Sequence, residues 1–156
     1  MKIRATLMLA GLTLIVLGVL AGCSENKQAD PRETVISFFG AMEKNDQATI
    51  ARMLDLPELM KNTREDYAVS TDDPRVFTNP KDILDDLTNE GLTKRRWFSM
   101  QRIIGNSSVE SETATVEVTF VDKQISKGYL TKFGLHKTNG KWRIYSFKTF
   151  EAAKQE

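Results

Sequence analysis

The chain has one cysteine and one histidine among its 156 residues. A lone cysteine cannot form a disulfide within its own chain, so the fold must be stable on packing alone. Two cysteines or several histidines at ligand spacing, the usual mark of a zinc site, are absent. HExxH, GxSxG and a Gly-rich phosphate loop are missing as well, which removes the zinc-protease, serine-hydrolase and P-loop classes. An excess of one charge is also lacking. Lys and Arg number 22 against 21 Asp and Glu, so the basic balance of a nucleic-acid-binding domain is not there. No metal, no cofactor and no nucleic-acid partner is implied.

What is present begins at the N-terminus. Lys2 and Arg4 precede an apolar run from Ala5 to Leu20, broken only by Thr6, Thr13 and two glycines. The run ends in Leu20-Ala21-Gly22-Cys23, followed at once by polar Ser24-Glu25-Asn26-Lys27-Gln28. Positive residues, an apolar core and small residues before a break form a secretory signal. Roughly 18 apolar residues are also just enough to span a bilayer. The cysteine at the break decides between the two, because Leu-Ala-Gly-Cys resembles the lipobox of bacterial lipoproteins. That resemblance implies a diacylglyceryl group on Cys23, cleavage between Gly22 and Cys23, and a membrane-anchored protein that does not span the membrane. Two or more fatty chains give stable anchoring where one gives only marginal residence. Ser24 in place of Asp favours the periplasmic face of the outer membrane if the host is Gram-negative.

Residues 1–22 therefore read as signal peptide, 23–30 as a lipid-anchored tether, 31–150 as one domain and 151–156 as a tail. From Ser24 to Ala29 the tether reaches about 20 Å at most. Charge is divided unevenly along the remainder. Residues 23–90 carry eight basic and fifteen acidic side chains, and residues 91–156 carry twelve basic and six acidic. Two halves of one domain attracting each other account for this split. So does a basic surface facing anionic lipid or a partner.

The first part of the domain has helical period. Asp30-Pro31-Arg32-Glu33 supplies an N-cap acid, a proline at the first helical position and Glu at N3. Val35, Phe38, Phe39 and Met42 then mark one apolar face. Asn45-Asp46 breaks this helix and caps a second, with Ile50, Met53 and Leu54 inward. Pro57 starts a third piece, residues 70–79 read as a loop, and Asn79-Pro80 opens a helix carrying Ile83, Leu84 and Leu87, with Gly91 as its C-cap. Beyond Gly91 the period becomes two. Arg95–Ile104 is predicted as a strand, with Gly105-Asn106 as the turn after it. Thr113–Phe120 alternates without a fault, placing Ala114, Val116, Val118 and Phe120 on a core. Asn139-Gly140 between Gly128–Thr138 and Lys141–Thr149 is a two-residue hairpin signal. Its register sets Leu135 against Ile144 and Phe133 against Ser146. Phe133, Leu135, Trp142 and Ile144 then share the inner face. Leu130, Lys132, His136, Arg143, Tyr145 and Phe147 share the outer one, unless a bulge near Tyr145 turns Phe147 back into the core.

Helices followed by antiparallel strands predict an α+β fold, its N-terminal helices packed on a curved antiparallel sheet of about four strands. Glu33-Thr34-Val35-Ile36-Ser37-Phe38-Phe39 with Asn45-Asp46, the Thr113–Phe120 strand, and Leu135–Ile144 around Asn139-Gly140 resemble the first helix, a strand and the last hairpin of the nuclear transport factor 2-like superfamily. Small bacterial lipoproteins with this domain are the nearest form of the resemblance, which covers roughly residues 31–149. It implies a cone: a curved sheet wrapped round helices, often with a pocket, and often a dimer through the outer sheet face. The short strands usual between the second and third helices are not evident in residues 55–79. The superfamily holds isomerases, dehydratases and hydrolases beside pure binding domains, so fold selects no activity.

Candidate chemistry is sparse. His136, on the outer face beside Arg143, reads as a spectator rather than a catalyst. Asp46 and Asp55 could approach a pocket mouth, but both sit where helix caps belong. Asp82, Asp85, Asp86 and Glu90 read as a solvated helix face, Lys94-Arg95-Arg96 as solvated cations, and Trp97 and Trp142 as packing. The sequence thus points to a non-enzymatic, lipid-anchored envelope domain binding a small apolar ligand or a protein, a second copy included. The alternative is a cone-fold enzyme acting on a small apolar molecule. The outer-face set of Leu130, Lys132, His136, Arg143, Tyr145 and Phe147 is the candidate interaction surface, and Cys23 the lipid attachment site.

Overall fold

A computed structural model describes residues 30–66 and 77–151. The segments expected to be signal peptide, lipobox and tether, and most of the loop expected at 70–79, lie outside the described residues. Helix α1 (Pro31–Glu43) starts where the sequence says it should. The Asp30 carboxylate accepts from Arg32 N at 2.9 Å, and proline occupies the first turn. Val35, Phe38, Phe39 and Met42 are all buried. Asn45, at φ 57°, adopts the left-handed conformation that asparagine tolerates, and the chain reverses. Asp46 then caps α2 (Gln47–Met53), accepting from Thr49 N at 2.9 Å and Thr49 Oγ1 at 2.7 Å. Helix α3 (Leu56–Asp66) follows, and α4 (Pro80–Asp86) opens with a reciprocal capping box between Asn79 and Asp82. Helix α5 (Leu92–Ser99) leads into the sheet.

The sheet is an antiparallel meander of β1 (Gln101–Glu110), β2 (Thr113–Asp122), β3 (Lys127–Thr138) and β4 (Lys141–Glu151), in the order β1-β2-β3-β4. The alternation of β2 holds, with Ala114, Val116, Val118 and Phe120 buried. Helices followed by this sheet make the fold α+β, as expected. Between α1 and the inner sheet face lies a cluster of rings. Phe133 packs 5.6 Å from Phe39 and 5.1 Å from Phe147 between centroids, and Trp97 stacks on Phe120 at 5.4 Å. Such pairs contribute about 0.5–1.5 kcal/mol each beyond the area they bury. Among the described residues the buried apolar core runs from Val35 to Phe147.

Four sequence expectations need correction. Residues 92–99 are helical, not the start of a strand. Thr93 and Trp97 are one turn apart and both buried, a helical period within the segment read as alternating. Gly91 is the N-cap of α5, not the C-cap of α4. Its φ of −56° needs no glycine, but a Cβ there would lie 2.2 Å from the Asp86 carbonyl oxygen, so the constraint is space. Gly105 and Asn106 do not turn the chain. They lie inside β1 where its pairing with β2 shifts between Ile104 and Ser107, and the reversal comes at Ser111, at φ 55°. Finally, the hairpin register runs as expected from Thr138–Lys141 to Leu135–Ile144. It then shifts, so that Gly134 faces Ser146 and Phe133 faces Phe147 instead of Ser146. One extra residue in β4, Tyr145, forms a bulge. Every side chain beyond a one-residue slip changes face, and Phe147 therefore enters the core, 1% exposed.

Candidate functional site

The outer sheet face is organised around that bulge. Gly134 leaves room beside it: a Cβ built there would lie 2.7 Å from Ser146 Oγ and 3.0 Å from Tyr145 Cζ. The Tyr145 ring thus rests over the backbone of β3, where any side chain would displace it. His136, two residues along the same face, lies beside Tyr145 with ring centroids 5.3 Å apart. Of the six expected surface residues, Leu130, Lys132, His136, Arg143 and Tyr145 do share this face through the register of β3 and β4. Phe147 does not. Phe150 takes its place opposite Leu130 and is 49% exposed.

The edge of β4 is covered by the α2–α3 connection. Asp55 N donates to Ile144 O at 2.8 Å, and Asn62 Nδ2 donates to Tyr145 O at 3.3 Å. In a regular strand successive carbonyls point to opposite edges; the bulge lets two neighbours be reached from one side. The Asp55 carboxylate does two jobs. One oxygen caps α3, accepting from Glu58 N at 3.2 Å. The other lies 2.9 Å from His136 Nε2, without the alignment of a hydrogen bond. Asp55 and His136 stand 81 positions apart and no local pattern links them. His136 is accordingly not a free surface side chain beside Arg143: it sits against the Asp55 carboxylate at the helix junction.

Nε2 of His136 is closed off from solvent and lies against Asp55, so the pair ties the helix junction to the sheet. The same face also carries binding features. A groove of about 280 Å³ runs beside Tyr145, its walls including Asn62, Lys132, Ser146 and Lys148. Lys132 and Lys148 sit directly opposite each other on β3 and β4. Lys132 reaches Glu117 at 3.4 Å and the Phe150 ring at 5.9 Å. Leu130, Phe150 and Tyr145 supply apolar and aromatic surface between these cations.

The other candidates fall elsewhere. Asp46 is a helix cap. Asp82 and Asp85 are solvated, and hydrogen bonds from Thr78 to Asp82, and from Lys81 and Gln47 to Asp85, hold both carboxylates below their ordinary pKa. Asp86 departs from the expected solvated face. It is 9% exposed and accepts from Thr93 N at 3.2 Å, tying α4 to α5. Trp97 and Trp142 are buried packing residues, as expected. One cation went unnoticed in the sequence: the Arg102 guanidinium lies 4.3 Å from the Phe39 ring and 4.7 Å from Phe98, and burial lowers its pKa. Among the described residues no three His, Cys, Asp or Glu side chains gather to hold a metal ion, and no helix is long and apolar enough to cross a membrane.

No protein-family model and no curated protein matches the chain. Solved structures do. An NTF2-like protein of unknown function from Shewanella baltica OS155 is similar at 14% identity and a TM-score of 0.49, with 80% of this chain and 92% of that one covered. An NTF2-like protein of unknown function from Silicibacter pomeroyi DSS-3 is similar at 15% identity and a TM-score of 0.45, covering 77% and 91%. A candidate NTF2-like transpeptidase from Campylobacter jejuni is similar at 17% identity and a TM-score of 0.43, covering 74% and 97%. No activity passes from any of them to this chain.

Proposed function

We propose that this protein is a lipid-anchored cell-envelope domain, held through Cys23, whose outer sheet face binds a protein partner without catalysing a reaction. The observation that carries the binding reading is the bulged outer face itself. There Leu130, Tyr145 and half-exposed Phe150 lie among Lys132, Lys148, His136 and Arg143. A two-fold copy packed on this face would bring like charges together, which is costly at close range. An acidic partner removes that cost, and self-association is the competing outcome. A small apolar ligand finds less support, because the space between α1 and the inner sheet face is filled by Phe38, Phe39, Trp97, Phe120, Phe133 and Phe147.

The enzyme reading has one observation in its favour, the cluster of Asp55, His136 and Tyr145. Asp55 lies against Nε2 of His136, but among the described residues no pocket lining includes both of them. Two experiments test the proposal. Fatty-acid labelling of cells should mark the wild-type protein and leave Cys23→Ser unlabelled and unprocessed, since a hydroxyl replaces the thiolate nucleophile poorly. Tyr145→Glu with Phe150→Ser should weaken association with the partner while leaving the circular dichroism spectrum unchanged. Partner capture at the wild-type level by that double variant would remove the outer face from the account.

A further inference from the structure

At the opposite end of the sheet from the Asn139-Gly140 turn, the β2–β3 hairpin closes through Lys123, Gln124, Ile125 and Ser126, all exposed. Ile125 is 62% exposed, the highest value among the exposed large apolar side chains. Nothing in a solvated turn requires it. The turn is held by Asp122, whose Oδ1 accepts from Gln124 N at 2.9 Å and Ile125 N at 3.4 Å, and by Ser126 at φ 52°. Ile125 is therefore presented by a built turn.

Helix α5 lies beside this tip. A groove of about 620 Å³ separates them, lined on the helix by Arg95, Arg96 and Ser99 and on the hairpin by Asp122, Ile125 and Tyr129. No carboxylate among the described residues pairs with the guanidinium of Arg95 or Arg96. Asp122, the acid in the groove, is engaged with the turn backbone. Lys123 and Lys127 flank Ile125, Lys127 lying 5.5 Å from the Tyr129 ring. An apolar residue projecting from a ring of cations, with aromatic and aliphatic side chains behind it, has the composition of a membrane-interface contact, where apolar burial adds to attraction toward anionic headgroups.

Tether geometry fits the same surface. The start of α1 is fixed to β1, with Arg32 Nε donating to Gly105 O at 3.1 Å. Gly105 is four residues, about 13 Å, along β1 from Gln101, and Gln101 faces Val121 at the base of the hairpin. Residues 24–29 reach about 20 Å. The hairpin runs on from Val121 to Ile125, so a nearly extended tether lets a lipid on Cys23 and the tip at Ile125 rest on one bilayer.

We infer that the β2–β3 tip and two cations of α5, exposed Arg95 and half-buried Arg96, form a second membrane contact, in which Ile125 enters the interface and Arg95, Arg96 and Lys123 meet anionic phosphate headgroups. It rests on the lipid-anchored reading proposed above, and it orients the domain: the hairpin tip faces the membrane, and the Asn139-Gly140 turn points away. The test uses residues 24–156 without the lipid, which hold the whole core of the described residues, from Val35 to Phe147. Co-sedimentation is measured with vesicles of phosphatidylcholine alone and of phosphatidylcholine mixed with phosphatidylglycerol. The protein should sediment with the anionic vesicles, release as salt rises, and lose about fivefold in partition for each of Arg95→Gln and Arg96→Gln. Ile125→Ser should remove the part that resists salt. Equal partition onto both vesicle types, or variants that bind like the parent, would overturn the inference. So would release by millimolar inorganic phosphate at constant ionic strength, which would make the groove a site for a free anion. Labelling of Cys23 in the full chain is read separately. Vesicle binding without labelling would defeat the anchor and spare this surface, and labelling without vesicle binding would do the reverse.

Discussion

Phe147→Ala separates the bulged hairpin from a regular one. In the bulged register Phe147 is 1% exposed. It stacks on Phe38 at 5.7 Å, meets Trp97 edge-on at 5.6 Å and meets Phe133 edge-on at 5.1 Å. Truncating a buried phenylalanine costs about 3–5 kcal/mol, from lost transfer energy plus the cavity left behind. The three ring contacts place this site toward the upper end. At about 2.1 cal/mol/K per residue over roughly 120 ordered residues, that is a fall in Tm of roughly 12–20 °C, a large fraction of a total stability of about 5–15 kcal/mol. Phe150→Ala, on the outer face, should change stability by about 0.5 kcal/mol or less. Urea denaturation of residues 24–156, followed by tryptophan fluorescence, measures both. A regular register would exchange the two faces. A loss below about 1 kcal/mol at Phe147 with a larger one at Phe150 would therefore refute the bulge.

Trp142→Ala, at a site 4% exposed, should also cost about 3–5 kcal/mol in the same assay. Gly91→Ala would place a Cβ 2.2 Å from the Asp86 carbonyl oxygen; backbone cannot yield cheaply there, so a loss of about 1–3 kcal/mol is expected from the urea midpoint. Gly134→Val should push the Tyr145 ring off the sheet, blunting partner binding more than stability, as binding measured beside the midpoint would show. The pKa of Asp82 is lowered by the backbone and side-chain hydrogen bonds from Thr78. A depressed folded value means its contribution is present above the ordinary value of 3.8 and is lost as pH falls through the folded one. Asp82→Asn should thus be less stable than wild type near neutral pH, and the gap should close in acid; a gap constant across the whole range would contradict the cap.

The parts of the fold legible in the sequence are those fixed by local chemistry. Asp30-Pro31, Asp46 and Asn79-Pro80 name their helices because a cap is satisfied within three residues. Asn139-Gly140 fixes the hairpin for its first four pairs. Beyond these the sequence ran out where an answer lay far along the chain. Local chemistry near Tyr145 leaves a regular strand and a bulge both open, and the structure takes the bulge, which buries Phe147 while Tyr145 and Arg143 keep the outer face. The α5 segment was lost to a strand because Arg95, Trp97 and Ser99 alternate in appearance, whereas the buried pair is Thr93 and Trp97. Asp55 meets His136 only because the α2–α3 junction hydrogen bonds to the edge of β4 at Ile144. Five of the six residues of the candidate surface share the outer face, and Phe150 lies there in place of Phe147.

The central claim is that the outer sheet face binds a protein, and a photo-crosslinking amino acid placed at Leu130 in the full-length protein, in intact cells, tests it most directly. The account predicts a discrete adduct at Leu130, lost on adding Tyr145→Glu and Phe150→Ser, and none when the same probe replaces Lys61 on the exposed side of α3. Uncrosslinked protein at Leu130, or equal adducts at Leu130 and Lys61, would contradict it.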